Sequence, residues 1–257
     1  MRSPRIFVDG PLAAGQQMAL SAAASQHLLA VLRLRVGAPL VVFDGRGGEH
    51  PARLLEAGRG GARIEVGEHR AVERESPLAV TLLQGLARGE RMDIVVQKAT
   101  ELGVARIVPV AAARSVVQLA EARAGKRVAH WRAVAVAACE QCGRNRVPEI
   151  TAPMDLVEAC RLAAAESRAD TAADDGRTRL WALDAEGGVP IAAVPPSRGE
   201  RVALLVGPEG GLAEEELETA ALIGFTRLRL GPRVLRTETA GPAALAALQA
   251  LAGDFGD

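Results

Sequence analysis

The spacing of hydrophobic residues changes once along this chain. Up to residue 70 they form short runs separated by glycine-rich turns, which predicts β-strands interrupted by one helix. Beyond residue 78, apolar runs alternate with stretches of helical periodicity, which predicts a mostly parallel sheet covered by helices. We therefore predict an α/β protein with a small N-terminal β-rich domain, residues 1–72, and a C-terminal α/β domain, residues 73–257.

The same pattern assigns individual elements. Strands are predicted at 6–8, 40–43, 51–55, 62–66, 78–83, 104–110, 147–150, 179–183, 202–206 and 226–230. Helices are predicted at 21–32, 92–102, 120–141, 155–165 and 213–223, and the polar stretch 166–179 is predicted to be a surface loop. A last helix begins between 239 and 241, because Pro242 is tolerated only in a first helical turn.

A glycine-rich loop follows the apolar run at 202–206. The loop is Gly207-Pro-Glu-Gly-Gly211, and a helix follows it, so a buried strand leads through a tight turn into a helix. Such a loop presents backbone N–H groups at the carboxyl end of a strand, where α/β sheets bind ligands. The strand at 226–230 ends in a second Gly-Pro turn, so two loops can converge on one pocket. A purely structural turn is the alternative interpretation.

The residue types in the loop limit its ligand. It lacks the Gly-Lys-Ser/Thr of a phosphate-binding loop and the G-x-G-x-x-G of a dinucleotide site. Glu209 would place a negative charge beside a phosphate. A cationic or neutral ligand is more suitable, and S-adenosyl-L-methionine carries a sulfonium cation.

Composition excludes several classes of protein. The 31 basic residues balance 31 acidic ones, aromatic residues make up only 2%, and tyrosine is missing, which disfavours an RNA surface built on aromatic stacking. The N-terminus has no apolar signal region and no run reaches membrane-spanning length, so we expect a cytoplasmic protein without a membrane segment. Three cysteines, including a lone Cys139-Glu-Gln-Cys142, lack a second ligand pair for zinc, and we expect buried structural cysteines and no metal.

Arginine dominates the basic residues, 29 of the 31, and arginine binds phosphate well, although GC-rich coding explains the same bias. Residues 1–70 hold nine arginines against six acidic residues, which suits a basic, RNA-contacting domain as well as an ordinary solvated surface. We expect RNA contacts on exposed arginine-rich segments, above all Gly143-Arg-Asn-Arg146. The candidates are Arg5, Arg33, Lys98, Arg114, Arg144, Asn145 and Arg146.

The chain resembles the RsmE family of 16S rRNA (uracil-N3) methyltransferases, members of the SPOUT superfamily. Gly207-Pro-Glu-Gly-Gly211 and Leu230-Gly-Pro-Arg-Val-Leu-Arg-Thr-Glu-Thr-Ala240 are similar to the two signatures of that family. The resemblance extends over essentially the whole chain, through His27-Leu-Leu-Ala-Val-Leu-Arg33, Gln97-Lys-Ala-Thr-Glu-Leu-Gly103, Arg114-Ser-Val116 and Glu140-Gln-Cys-Gly-Arg-Asn-Arg-Val-Pro-Glu-Ile150.

The resemblance implies a PUA-like β-barrel at the N-terminus and a SPOUT α/β domain with a deep trefoil knot. It also implies a homodimer, S-adenosyl-L-methionine as methyl donor, and 16S rRNA of the 30S small ribosomal subunit as substrate. The donor contacts that it implies are Leu183, Gly207, Pro208, Glu209, Gly210, Gly211, Leu230, Gly231, Leu235, Arg236, Thr237, Thr239 and Ala240.

Two side chains are candidates for catalysis, because N3 of uracil must lose a proton as it attacks the methyl group. Pro242 leaves Arg236, Thr237 and Glu238 in an exposed turn. Arg236 is the candidate cation that stabilises charge on the uracil carbonyl oxygens, and Glu238 is a base or orients Arg236. The structural alternatives are that Arg236 caps a turn and that Glu238 complements a helix N-terminus.

Two other functions stay open at this point. One is a SPOUT methyltransferase that modifies another base or a ribose 2′-OH. The other is a non-catalytic RNA-binding or ribosome assembly protein whose glycine loops are purely structural.

Overall fold

The computed structural model describes residues 3–115, 121–172 and 178–256. Three parts of the sequence predictions lie outside these ranges: Val116, the start of the long helix at residue 120, and residues 173–177 of the predicted loop. The chain divides into two compact units, Met1–Glu75 with Val136–Val147, and Ser76–Ala135 with Pro148–Asp257.

The first unit is built on a five-stranded mixed sheet. Its strands are β1 (Arg5–Phe7), β2 (Gln17–Ala19), β3 (Pro39–Phe43), β4 (His50–Gly58) and β5 (Gly61–Val66). Their order in the sheet is β1-β3-β4-β5-β2, with β1 parallel to β3 and the other neighbours antiparallel. The four strands predicted in this region are present. The sequence analysis missed β2, because its three residues Gln-Met-Ala are too few to show a periodicity.

Side chains at alternate positions along these strands are buried and form the core of the unit. Ala62, Ile64 and Val66 are buried on one face of β5, against Leu54 of β4. Helix α1 (Ala22–Gln26) continues as a π-helical turn, His27–Val31, which buries Leu28 in the same core. The helix predicted at 21–32 is therefore present, with its second half in π-helical form.

The second unit alternates strands and helices. Its elements are β6 (Ala79–Gly85), α2 (Glu90–Glu101), β7 (Arg106–Ala111), α3 (Glu121–Cys142), β8 (Glu149–Ile150), β9 (Met154–Asp155), α4 (Leu156–Ala172), β10 (Thr178–Leu183), β11 (Val189–Pro190), β12 (Arg201–Val206), α5 (Glu214–Ile223), β13 (Thr226–Arg229) and α6 (Thr237–Ala252). The residues of α3 from Val136 onward belong to the first unit.

The strands of the second unit form one sheet in which every described pair is parallel. Their order is β11-β13-β10-β12-β6-β7-β8, with β9 beside β7. This confirms the predicted parallel α/β sheet. The central strand β12 is almost continuously buried, as expected for a strand covered on both faces. No helix in the described ranges is long and apolar enough to cross a membrane.

One helix is longer than predicted. Residues 166–172 continue α4, whereas the polar composition predicted a loop from residue 166 onward. The stretch Ala163-Ala-Ala-Glu-Ser-Arg-Ala169 contains strong helix formers. Two of its polar residues are bonded within the unit, because Glu166 accepts from Arg106 at 2.9 Å and Ser167 donates to the Thr178 carbonyl at 3.0 Å. Polarity was therefore a misleading signal for a loop at this position.

The three cysteines are all free thiols. Cys139 and Cys160 are buried, as predicted, and burial raises the pKa of each thiol to about 12. Cys142 is half-buried. Within the described ranges, no group of three or more His, Cys, Asp and Glu side chains is arranged to hold a metal ion.

Candidate functional site

A pocket of about 570 Å³ opens at the carboxyl edge of the parallel sheet in the second unit. Strands β10, β12 and β13 end there, because neighbouring parallel strands end at the same edge. The predicted donor-binding residues that line the pocket are Leu183, Gly207, Pro208, Glu209, Gly210, Gly211, Leu230, Gly231, Leu235, Thr237 and Ala240. Arg236 and Thr239 are not among its lining residues.

The loop after β12, Gly207–Gly211, is fixed from several sides. The Gly207 carbonyl accepts a hydrogen bond from the Thr237 hydroxyl at 2.8 Å, and the Gly210 carbonyl accepts one from Arg114 Nη1 at 3.1 Å. Gly211 has a φ of +70° and closes a turn by donating to the Pro208 carbonyl at 2.9 Å. The loop is therefore held in one conformation on the wall of the pocket.

Close backbone approach explains two of the glycines at this edge. A Cβ on Gly207 would lie 2.8 Å from the Gly211 carbonyl carbon, so no larger residue fits inside the turn. A Cβ on Gly85, the last residue of β6, would lie 2.4 Å from the Pro208 nitrogen. The end of β6 therefore packs directly under the loop, in contact that only glycine permits.

Helix α6 begins earlier than the sequence predicts. It starts at Thr237 rather than between residues 239 and 241, and Pro242 lies inside it. Arg236 is the N-terminal cap residue, and its carbonyl accepts hydrogen bonds from Thr239 and Ala240, both at 2.8 Å. Residues 236–238 are thus the start of a helix rather than an exposed turn.

The three side chains 236–238 consequently differ in exposure. Arg236 is 82% exposed, while Glu238 is only 16% exposed. Thr237 is buried, and its hydroxyl accepts from Gln84 Nε2 at 3.0 Å while it donates to Gly207. The expectation of three exposed side chains is correct only for Arg236, because Thr237 joins α6 to the glycine loop.

The loop after β10 forms a third wall of the pocket, and Leu183 is the only residue there that the sequence analysis predicted. In this loop Asp184 Oδ1 accepts from the backbone N–H groups of Glu186 and Gly187 at 2.9 and 3.1 Å. Asp184 Oδ2 lies 3.6 Å from Arg227 Nη1. The signal was an aspartate followed by a glycine pair at a strand end, which is typical of a turn stabilised by its own side chain.

Glu209 points away from its own loop toward α2. Its Oε1 accepts from the backbone N–H of Arg88 at 2.8 Å and from Arg91 Nη1 at 2.9 Å. Burial alone would raise the pKa of Glu209, but the backbone N–H groups of Arg88 and of Glu209 itself, and then Arg91, outweigh burial and lower it. Glu209 therefore carries a negative charge at neutral pH, and sequence reasoning missed both arginines.

Several predicted RNA contacts in the first unit are buried instead. Arg5 pairs with Glu49 at 2.5 Å, lies 4.9 Å from the centre of the Phe43 ring and also bonds Asn145. Arg144 is 4% exposed and binds Glu75 through two nitrogens, at 3.1 and 2.5 Å. The prediction that the segment 143–146 is exposed is thus wrong for Arg144 and Asn145, because both fold into an internal polar network.

The remaining candidates for RNA contact lie at or near the surface. Arg33 is exposed and has a φ of +53°, and Arg146 is 56% exposed while it pairs with Glu73 at 3.0 Å. In the second unit, Lys98 is 46% exposed and pairs with Glu101 at 2.9 Å. Arg114 lies at the rim of the pocket, where it bonds Gly210.

Two family models match this chain. An RNA methyltransferase domain matches residues 74–249, and an RNA methyltransferase PUA domain matches residues 20–67. The ribosomal RNA small subunit methyltransferase E of Buchnera aphidicola (from Schizaphis graminum) is 30% identical over 99% of this chain and 98% of its own. The chain belongs to the ribosomal RNA small subunit methyltransferase E family. The matched PUA domain lies in the first unit, and the matched methyltransferase domain covers most of the second.

Two solved structures have the same fold. A ribosomal RNA small subunit methyltransferase E from Neisseria gonorrhoeae, bound to S-adenosyl methionine, is 36% identical with a TM-score of 0.87, over 99% of this chain and 100% of its own. A Legionella pneumophila protein described as a methyltransferase, in complex with bound SAM, is 37% identical with a TM-score of 0.90 over the same shares. The α/β fold of the present chain is therefore that of donor-binding methyltransferases.

Proposed function

We propose that this protein transfers a methyl group from S-adenosyl-L-methionine to N3 of a uridine in the 16S rRNA of the small ribosomal subunit. The observation that carries the proposal is the pocket at the sheet edge, two of whose walls are the signature loops of the family. The relatives named as small-subunit rRNA methyltransferases supply the class of substrate.

The composition of the pocket is suited to the donor. Its floor and walls combine backbone groups of the glycine loop with apolar side chains such as Leu183, Leu228 and Leu235. Its lining holds four carboxylates and three arginines, so it has no excess of positive charge that would attract a phosphate. A sulfonium donor supplies an activated methyl group for in-line displacement, and the protein then serves mainly to position the two reactants.

Arg236 is the proposed catalytic cation. Its guanidinium is 82% exposed next to the pocket and its backbone is fixed as the cap of α6, so it can reach a bound base. There it would stabilise negative charge on a uracil carbonyl oxygen as N3 loses its proton.

Glu238 acts in this proposal by orienting Arg236. Its Oε1 lies 3.9 Å from Arg236 Nη1, and its Oε2 is buried, without a hydrogen-bond partner among the described residues. A buried oxygen is poorly placed to take a proton from the substrate directly. This geometry favours the orienting role over the role of a general base.

The proposal extends to RNA and to assembly. Arg33, Lys98, Arg114 and Arg146 remain proposed RNA contacts, because their side chains reach the surface. We propose the deep trefoil knot that the family resemblance implies, in the part of the chain where α6 follows β13 and packs on α2 and β6. We also propose a homodimer, and an rRNA substrate would place the protein in the cytoplasm.

One assay tests the proposed function. Purified protein, small-subunit particles from cells lacking the activity and labelled donor are incubated, and the modified nucleosides are identified by mass analysis. We expect 3-methyluridine. Methylation of another base or of a ribose would overturn the N3 assignment, and donor binding without any transfer would support a non-catalytic protein.

A further inference from the structure

Arg91, in the first turn of α2, lies between two carboxylates that come from different walls of the site. Its Nη1 donates to Glu209 Oε1 at 2.9 Å, and its Nε lies 3.8 Å from Glu238 Oε1. Glu209 belongs to the glycine loop and Glu238 to the first turn of α6. One guanidinium thus spans the donor loop and the segment that carries Arg236.

Both carboxylates have this guanidinium as a charge partner. Glu209 and Glu238 are 22% and 16% exposed, and the Oε2 atom of each is buried without a hydrogen-bond partner in the described part of the chain. Withdrawing a carboxylate from water is unfavourable unless a positive charge compensates for it. Arg91 is placed to neutralise both groups at once.

Glu238 also lies close to Arg236, the proposed catalytic cation. Glu238 Oε1 is 3.8 Å from Arg91 Nε and 3.9 Å from Arg236 Nη1, so it is shared by two guanidinium groups. Arg236 makes no closer ion pair within the described ranges. The direction of its long, exposed side chain is therefore sensitive to where Glu238 is held.

We propose that Arg91 is a positioning residue for the methyl transfer. It fixes the donor loop through Glu209 and sets the position of Arg236 through Glu238. This inference rests on the proposed function. A planar guanidinium can donate in two directions at once, whereas a lysine ammonium is a single point charge, so Arg91→Lys should retain only the closer pair with Glu209.

Three single variants test the proposal by separate measurement of donor affinity and kcat. In Arg91→Ala we expect kcat for rRNA methylation to fall by about tenfold or more, because small misplacements of reacting groups are costly. Donor Kd should rise by about two- to fivefold, the range of one partly exposed ion pair. In Arg91→Lys we expect a donor Kd near that of the wild type, and a kcat almost as low as that of Arg91→Ala.

Arg88→Ala is the matched control. It removes the same charge from an exposed position three residues away and keeps the backbone N–H that Glu209 accepts. We expect kcat and donor Kd to stay within about twofold of the wild type, since exposed charges contribute little. Equal losses in Arg88→Ala and Arg91→Ala would mean that only the local charge matters, which would overturn the proposal.

A double variant separates positioning from general stabilisation. If Arg91 acts through Glu238, then Arg91→Ala should lower kcat little further in a Glu238→Gln background. Independent, multiplied losses would contradict that route, as would an Arg91→Ala protein with normal kcat. The wild type is assayed alongside: if it transfers no methyl group, both proposals fail, whereas an active wild type with a normal Arg91→Ala variant refutes only the role of Arg91.

Discussion

At the scale of single residues, arginines that look alike in the sequence have opposite environments. Arg144 is 4% exposed and holds Glu75, whereas Arg236 is 82% exposed and has only distant charge partners. Both follow a turn-forming or glycine-containing segment, and both precede a polar residue. Their different environments lead to opposite expectations for substitution by alanine.

Arg236→Ala should abolish methylation and leave donor binding intact. Removing one group that stabilises developing charge costs about 10²- to 10³-fold in kcat, while the pocket walls are made by other residues. Turnover is measured with rRNA particles and donor affinity by calorimetry. Arg236→Lys, which keeps the charge, should retain part of the activity, and normal turnover in Arg236→Ala would rule out a catalytic role.

Arg144→Ala should destabilise the protein. Loss of one partner from a buried, two-point ion pair costs about 2–4 kcal/mol in the free energy of unfolding. Urea unfolding measures the change. Arg146→Ala is the control two residues away, where the pair with Glu73 is exposed and the expected loss is below about 1 kcal/mol. Equal effects of the two variants would argue against the buried pair.

At the scale of elements, strand ends and loops are joined by contacts that leave no room for side chains. The end of β6 lies under the glycine loop, and Thr237 at the start of α6 is bonded to the same loop. Buried Gln84, the residue before Gly85, donates to Thr237. The glycine loop is therefore held in place by two elements, β6 and α6.

Gly85→Ala should weaken donor binding. Its Cβ would lie 2.4 Å from the Pro208 nitrogen, so β6 or the loop must move. Overpacking of this kind costs about 1–3 kcal/mol in stability, and we expect donor affinity to fall at least about tenfold. Gly125→Ala, exposed within α3 with open space around it, is the control and should be neutral or slightly stabilising. Normal donor affinity in Gly85→Ala would show that the loop tolerates displacement.

The polar network of the first unit predicts a pH dependence. Burial alone would raise the pKa of Glu49, but the hydrogen bond and charge of Arg5, and then Arg74, lower it below 4.5. Ionised Glu49 therefore contributes stability above about pH 4.5, and that contribution is lost as the pH falls through its lower folded value. The gap in unfolding free energy between wild type and Glu49→Gln should be largest near neutral pH and shrink in acid. A gap that does not change with pH would contradict this role.

At the scale of the whole molecule, the C-terminal end of α6 keeps an apolar surface. Leu251 and Phe255, in and just after α6, are 42% and 55% exposed. These residues are consistent with the proposed homodimer, since apolar side chains at the end of a buried helix are often covered by a partner.

The homodimer predicts a mass of twice 26.8 kDa in solution. Sedimentation equilibrium measures it without a standard. We expect Phe255→Asp to shift the equilibrium toward the monomer if α6 lies in the interface, because a charge there would be desolvated. A wild-type protein that sediments at 26.8 kDa at micromolar concentration would overturn the proposal.

The sequence alone predicted the parallel α/β sheet and the two signature loops that line the pocket. These features depend on local patterns: apolar runs define buried strands, and parallel strands must end at one edge, so loops far apart in sequence meet there. Gly207–Gly211 and Leu230–Ala240 can therefore be assigned to one site from the sequence. The family signatures in those loops supplied the chemistry of the ligand.

Only the tertiary structure decided which polar side chains face the site. Arg144 and Glu75 are 69 residues apart, and Arg91 and Glu209 are 118 apart, so no local pattern indicates either pair. The sequence around an arginine does not show whether its side chain is buried in an ion pair or exposed to RNA. Its environment is set by which carboxylate the fold brings within a few ångströms, and that is a property of the folded chain as a whole.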